Sequence, residues 1–166
     1  MKTLGSAVLL ILTLAIDATA QQTVFVVRHA ERADAAIGGS PMMAADPDLS
    51  DAGKARAASL AVMLKDADVK AIFTTEFKRT QQTAEPLAKA LGITIVTVAA
   101  GDPAKLLQAL KAAGGNALVV GHSNTVPVLL NGLGVSTPVT IGDSDYDNLF
   151  VVTTGPSPAM IRLHFR

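Results

Sequence analysis

The sequence predicts an α/β protein of three layers, a mostly parallel central sheet with helices on both faces. Three observations predict it. Short aliphatic and β-branched runs at 24–27, 69–74, 93–98 and 117–120 alternate with segments long enough for helices, the order that builds parallel strands joined by crossover helices. The runs are largely apolar throughout instead of alternating, as expected of strands covered on both faces. Charged and polar residues crowd directly after several runs, at the edge where the loops of an open α/β sheet gather around ligands.

Residues 1–20 are set aside from the fold. Lys2 gives a positive start, residues 7–16 form a ten-residue apolar run, and Ala18-Thr19-Ala20 matches an A-x-A cleavage site. The run is too short to span a bilayer as a helix. The expectation is a signal peptide over 1–20 and one domain over 21–166. The protein would then be exported, periplasmic or secreted, with no stable membrane anchor after cleavage.

Val24 to Val27 is the first strand, ending abruptly in Arg28-His29-Ala30-Glu31-Arg32. Ala33 to Asp48, rich in Gly, Pro and Asp, reads as a loop. Leu49-Ser50-Asp51 opens a helix with Ser50 or Asp51 as N-cap and Leu60, Met63 and Leu64 on one face. Val69 to Thr74 is the second strand. It leads through Thr75-Glu76-Phe77-Lys78-Arg79 into a helix that stops at Gly92, with Pro86 marking either a kink or the true start. Ile93 to Val98 is the third strand. Asp102 and Pro103 begin a helix bearing Leu106, Leu107 and Leu110 and closed by Gly114-Gly115. Ala117 to Val120 is a fourth strand, running into Gly121-His122-Ser123-Asn124 and a helix to Leu133. Leu149 to Thr153 and Met160 to Phe165 are the last two strands.

Lysine plus arginine and aspartate plus glutamate number 14 each. That balance gives no basic excess to recruit nucleic acid or an anionic membrane. There is no cysteine, which rules out disulfides, thiolate metal sites and a cysteine nucleophile. An apolar fraction of 49 % suffices for a core and argues against disorder. Nothing in the sequence specifies an oligomeric state.

Three predicted strand tips carry the residues of interest: Arg28 and His29 after the first, Arg79 after the second, His122 after the fourth. Arginine offers forked donors suited to phosphate oxygens. Positive charge nearby lowers a histidine's pKa and keeps a nitrogen unprotonated. The combination points to an anion site.

These residues resemble the motifs of the histidine phosphatase superfamily, which includes the phosphoglycerate mutases. Its Arg-His-Gly signature is similar to Arg28-His29-Ala30-Glu31, and its next motif to Leu49-Ser50-Asp51-Ala52-Gly53. The segment bearing its second arginine resembles 74–84, and its second histidine corresponds to His122. The resemblance implies a phosphoglycerate mutase-like fold and a phosphatase that needs no metal or other cofactor. It implies that His29 is the nucleophile, forming a phosphohistidine that water hydrolyses. Arg28, Arg79 and His122 would surround the phosphoryl group, and Arg32 would supply a donor where relatives often place an asparagine. Partners would be a small phosphorylated substrate or a phosphoprotein. A domain that binds phosphorylated ligands without turnover is the alternative.

The chain departs from the pattern at Ala30, which replaces a glycine, at Ala35, which replaces the asparagine, and in the proton donor. No glutamate follows Glu85. Asp102 is the nearest replacement, although an Asp before Pro at a helix start reads first as a cap. Glu31 is expected to orient the site by hydrogen bonding. A short chain lacking the acid resembles the compact phosphohistidine phosphatases of the superfamily.

Two rival readings use other residues. Gly121-His122-Ser123-Asn124-Thr125 approaches a nucleophile elbow, which with an Asp from 143–147 and His164 would make a serine hydrolase. Asp143, Asp145 and Asp147 alternate like the start of a calcium loop, but Asn148 replaces its glycine. Zinc on His29 and His122 is disfavoured by the arginines beside them.

Overall fold

The computed structural model describes residues 21–34 and 46–166. The expected signal peptide and Ala35 lie outside the described residues. Six strands and four helices follow one another: β1 (Thr23–Arg28), α1 (Asp51–Leu64), β2 (Val69–Thr74), α2 (Lys78–Leu91), β3 (Ile95–Thr97), α3 (Pro103–Ala113), β4 (Asn116–Gly121), α4 (Thr125–Gly132), β5 (Asn148–Thr153) and β6 (Ala159–His164).

The strands form one sheet in the order β3-β2-β4-β1-β5-β6. β3, β2, β4 and β1 are parallel, whereas β5 joins β1, and β6 joins β5, antiparallel. The expected mostly parallel sheet is therefore present, with an antiparallel edge pair. The carboxyl ends of β2, β4 and β1 lie side by side, and all three predicted tips open on the same rim.

Each face has its own core. Leu60 and Leu64 of α1 and Leu87 of α2 pack with Phe25, Val27, Ile72, Leu118 and Val120 on one face. Leu110 of α3 and Leu129 of α4 pack with Val24, Val26, Val119 and Phe150 on the other. Successive strand residues point to opposite faces, so β1 and β4, covered on both, are apolar without alternation.

Helix boundaries follow local chemistry. Ser50 caps α1, its hydroxyl accepting from Gly53 N–H at 3.1 Å. Gly92 and Gly114 end α2 and α3 in left-handed conformations at φ 67° and 65°, as C-terminal glycines do. Pro86 lies inside α2 and does not begin it.

Two expectations are corrected. Met63 is 44 % exposed, because it lies about 100° round the helix from the stripe formed by Ala57, Leu60 and Leu64. The third strand is only Ile95–Thr97, since Ile93 N–H bonds back to Ala88 O in the closing turn of α2 at 3.0 Å.

Candidate active site

The first tip is fixed by main-chain bonds. His29 N–H donates to Gly121 O at 2.9 Å, continuing the β1–β4 ladder by one step. Ala30 N–H donates to Thr83 Oγ1 at 2.9 Å, and that hydroxyl donates to Arg79 O at 2.7 Å. The loop after His29 is then pinned to the start of α1. Ser50 N–H donates to Glu31 O, Ala33 N–H donates to Asp48 O, and Arg32 bridges Leu49. The backbone of Glu31 lies against Gly53, where a Cβ would come within 2.3 Å of Glu31 O. This contact accounts for the glycine of the 49–53 motif. Ala30 does not have a positive φ, so a side chain is accommodated where the signature has glycine.

His29 and His122 are buried, and their rings meet edge to face at 5.3 Å between centres. His29 Nδ1 lies 2.8 Å from Ala30 O. A carbonyl only accepts, so Nδ1 carries the proton and Nε2 holds the lone pair. Burial, reinforced by His122, Arg28 and Arg79 and only partly offset by the Ala30 bond, lowers its pKa to about 3. Burial, then Arg79, lowers that of His122 to about 4. Both rings are neutral at neutral pH.

Arg28, the last residue of β1, is buried. Its Nη1 donates to Gly142 O at 2.7 Å and Asp143 O at 3.0 Å, and its Cζ sits 4.2 Å from the ring centre of Tyr146. Arg79 enters from the first turn of α2, stacked at 4.3 Å on Phe77, with Nη2 3.4 Å from His122 Nδ1 and Nη1 3.5 Å from Asp46. Burial and the charge of Arg32 lower the Arg79 pKa. The Nε atoms of both Arg28 and Arg79 are buried without a partner. Two guanidinium groups with donors to spare, set near two neutral imidazoles, suit an anion with several acceptor oxygens.

The structure thus brings together Arg28, His29, Arg79 and His122. Arg32 stands nearby with its Nε donating to Asp34 at 2.9 Å. Glu31 does not reach the pocket groups. Its carboxylate takes Arg56 of α1 in a forked pair at 2.6 and 2.9 Å. Asp102 accepts from Lys105 N–H at 2.9 Å as the cap of α3.

The rival triad is not assembled. His164 bonds Asp147 at 3.0 Å on edge strand β6, with two strands between it and the β4 tip that leads to Ser123. Asp145 accepts instead from Gly142 N–H, and the described residues contain no cluster of three acidic or histidine groups able to hold a metal.

Sequence reasoning missed Tyr146 and Thr75. Tyr146 packs against Arg28 and lies 6.1 Å from His29, yet it comes from an irregular acidic stretch with no periodicity to flag it. Thr75 Oγ1 lies 2.9 Å from His122 Nε2; its signal was its place at a strand tip, beside residues already singled out.

A sequence model described as histidine phosphatase superfamily (branch 1) matches residues 24–100, the stretch that holds Arg28, His29 and Arg79. Over that stretch the chain resembles the histidine phosphatase superfamily. Its fold is similar to that of an Agrobacterium tumefaciens protein provisionally named phosphohistidine phosphatase SixA, at 23 % identity over 87 % of this chain and 99 % of that one, with a TM-score of 0.63. It is also similar to the protein histidine phosphatase SixA complexed with tungstate, at 19 % identity, 86 % and 97 % coverage and a TM-score of 0.64. The alpha-ribazole phosphatase of Shigella flexneri gives 13 % identity, 87 % and 96 % coverage and a TM-score of 0.70. At these identities the likeness is one of fold. No curated protein matches the chain.

Proposed function

We propose that the protein is a metal-independent phosphatase working through a phosphohistidine on His29. The observation that carries this reading is the disposition of His29. Its Nδ1 is spent on Ala30 O, its Nε2 keeps a lone pair, and Arg28 and Arg79 lie close enough to help lower its pKa. In the first step Nε2 attacks phosphorus in line. The bond from phosphorus to the leaving atom breaks, and its electron pair stays on that atom. In the second step water attacks the same phosphorus, the P–N bond breaks, and the pair returns to Nε2. Arg28, Arg79 and His122, with Arg32 at the rim, stabilise charge on the equatorial oxygens.

Carboxylates around the pocket already accept hydrogen bonds: Glu31 from Arg56, Asp34 from Arg32, Asp46 from Lys78 N–H, Glu76 from Ala100 N–H and Asp102 from Lys105 N–H. Residues 35–45 contain no acid. This favours a substrate whose leaving group departs with little protonation: an activated phosphomonoester or a phosphoramidate, on a small molecule or a phosphoprotein. With residues 1–20 as a signal peptide, the enzyme acts in the periplasm or outside the cell.

Hydrolysis of p-nitrophenyl phosphate tests the reading, since its leaving group needs little acid assistance. Turnover is expected to survive EDTA, to be inhibited by vanadate and to vanish in His29→Ala. A folded wild-type protein that binds phosphate without turnover would establish the binding-module alternative, and full activity in His29→Ala would overturn the mechanism.

A further inference from the structure

The chain holds five Phe, one Tyr and no Trp. Phe25, Phe73, Phe150 and Phe165 are buried in the two cores. The other two aromatic side chains, Phe77 and Tyr146, are partly exposed, and both stand at the candidate site. Tyr146 backs Arg28 at 4.2 Å and Phe77 backs Arg79 at 4.3 Å. Tyr146 also lies 6.1 Å from His29, and Phe77 5.3 Å from His122, between ring centres. The contacts thus run Tyr146, His29, His122, Phe77, with the two histidines in the middle and an aromatic ring at each end.

Holding an arginine does not require an open ring, since a cation–π contact is stronger when desolvated. Aromatic surface left open at a polar pocket is area that a ligand can cover, and a flat ring covers it best by offset or edge-to-face stacking. The leaving group supplies a second constraint. Asp46, Glu76 and Asp102 already accept from backbone N–H groups, so the leaving oxygen departs with little protonation. An aryloxide, whose conjugate acid has a pKa of about 10 like that of tyrosine, meets that requirement where a simple alkoxide does not. We propose that Phe77 and Tyr146 are specificity residues that select a phosphoryl group carried on an aromatic ring, an aryl phosphate. The chemistry rests on the phosphatase reading: as His29 Nε2 bonds phosphorus, the bond from phosphorus to the phenolic oxygen breaks, the electron pair stays on that oxygen, and solvent protonates the aryloxide. Recognition of the ring needs no turnover.

Phenylphosphonate and cyclohexylphosphonate test recognition alone: they carry the same anion on rings of similar size, one aromatic and one not, and neither is hydrolysed. Calorimetric Kd values for the full-length protein, at a pH where both ligands are dianions, are expected to favour phenylphosphonate by about fivefold or more. Phe77→Leu and Tyr146→Leu are each expected to bring that ratio towards one. Any loss of affinity for the shared anion cancels in the ratio. A wild type that binds both equally, or cyclohexylphosphonate more tightly, would overturn the inference, as would a ratio unmoved in both variants. If the variants do not fold, the wild-type ratio decides. Phenyl phosphate beside a phosphotyrosine peptide then tells a small phenolic ester from a protein side chain, the larger kcat/KM naming the source of the ring. Preference for phenylphosphonate without turnover of phenyl phosphate would count against the phosphatase reading alone. Turnover without ring preference would count against the inference alone.

Discussion

The guanidinium of Arg28 lies 4.2 Å from the ring centre of Tyr146 while its Nη1 donates to Gly142 O and Asp143 O. The loop before β5 therefore acts as a clamp that fixes one arginine by stacking and by two carbonyls. Tyr146→Phe keeps the stacking and is expected to keep activity. Tyr146→Leu loses a cation–π contact of about 0.5–2 kcal/mol, expected as weaker vanadate inhibition and a raised KM. Equal vanadate inhibition in the two variants would remove Tyr146 from the site.

Acid should destabilise the fold well before carboxylates dominate. His29 and His122 have folded pKa values lowered from 6.5 to about 3 and about 4. Below pH 6.5 the unfolded chain takes up protons that the folded protein refuses, so stability falls as pH falls. The slope is about 1.4 kcal/mol per pH unit for each histidine once both unfolded-state groups titrate. Denaturant unfolding between pH 7 and 5 measures it, and His29→Ala is expected to reduce the slope. Stability that is flat across that range would contradict the burial of both rings as neutral groups.

Asp102 separates a cap from an acid. Asparagine caps a helix about as well as aspartate, so Asp102→Asn is expected to leave both stability and kcat unchanged. Asp102→Ala should cost about 1 kcal/mol of stability with kcat intact. A large fall in kcat for Asp102→Asn would make it the proton donor.

Gly53 is a packing requirement of the site loop. Its hydrogen faces Glu31 O, where a Cβ would sit at 2.3 Å. Gly53→Ala is expected to destabilise by about 1–3 kcal/mol through overpacking and to lower kcat by shifting the loop that follows His29. Ser50→Ala should cost about 1 kcal/mol as a lost N-cap with a smaller kinetic effect. Thermal melts beside p-nitrophenyl phosphate kinetics distinguish the two.

What the sequence made legible was whatever repeats with the chain or stops it. The apolar runs of β1, β2 and β4 read as strands because both faces of those strands are covered. Ser50, Gly92, Asp102 and Gly114 read as helix ends because each solves a local backbone problem. The four residues at the strand tips were legible for the same reason, since adjacent parallel strands bring their ends to one rim. β3 was read too long because Ile93 is claimed by the closing turn of α2, a competition between two elements that no single-strand pattern records. Met63 was misplaced because a helical stripe gives a direction but not the width of the neighbour it meets. Tyr146 and Thr75 stayed hidden because their importance is a matter of distance to residues remote in sequence.

The single rung between His29 N–H and Gly121 O has a further consequence for when the pocket can exist. Among the described residues β1 has β4 and β5 as its sheet neighbours, both from the second half of the chain. Such non-local pairing must meet its loop-closure entropy before any contact repays it. The amino-terminal strand therefore has no sheet partner within the stretch that forms α1, β2 and α2. The rim that carries both histidines is complete only once β4 is in place. Recovery of phosphate binding during refolding is accordingly a reporter of the completed fold, and a chain lacking β4 holds His29 without a pocket around it.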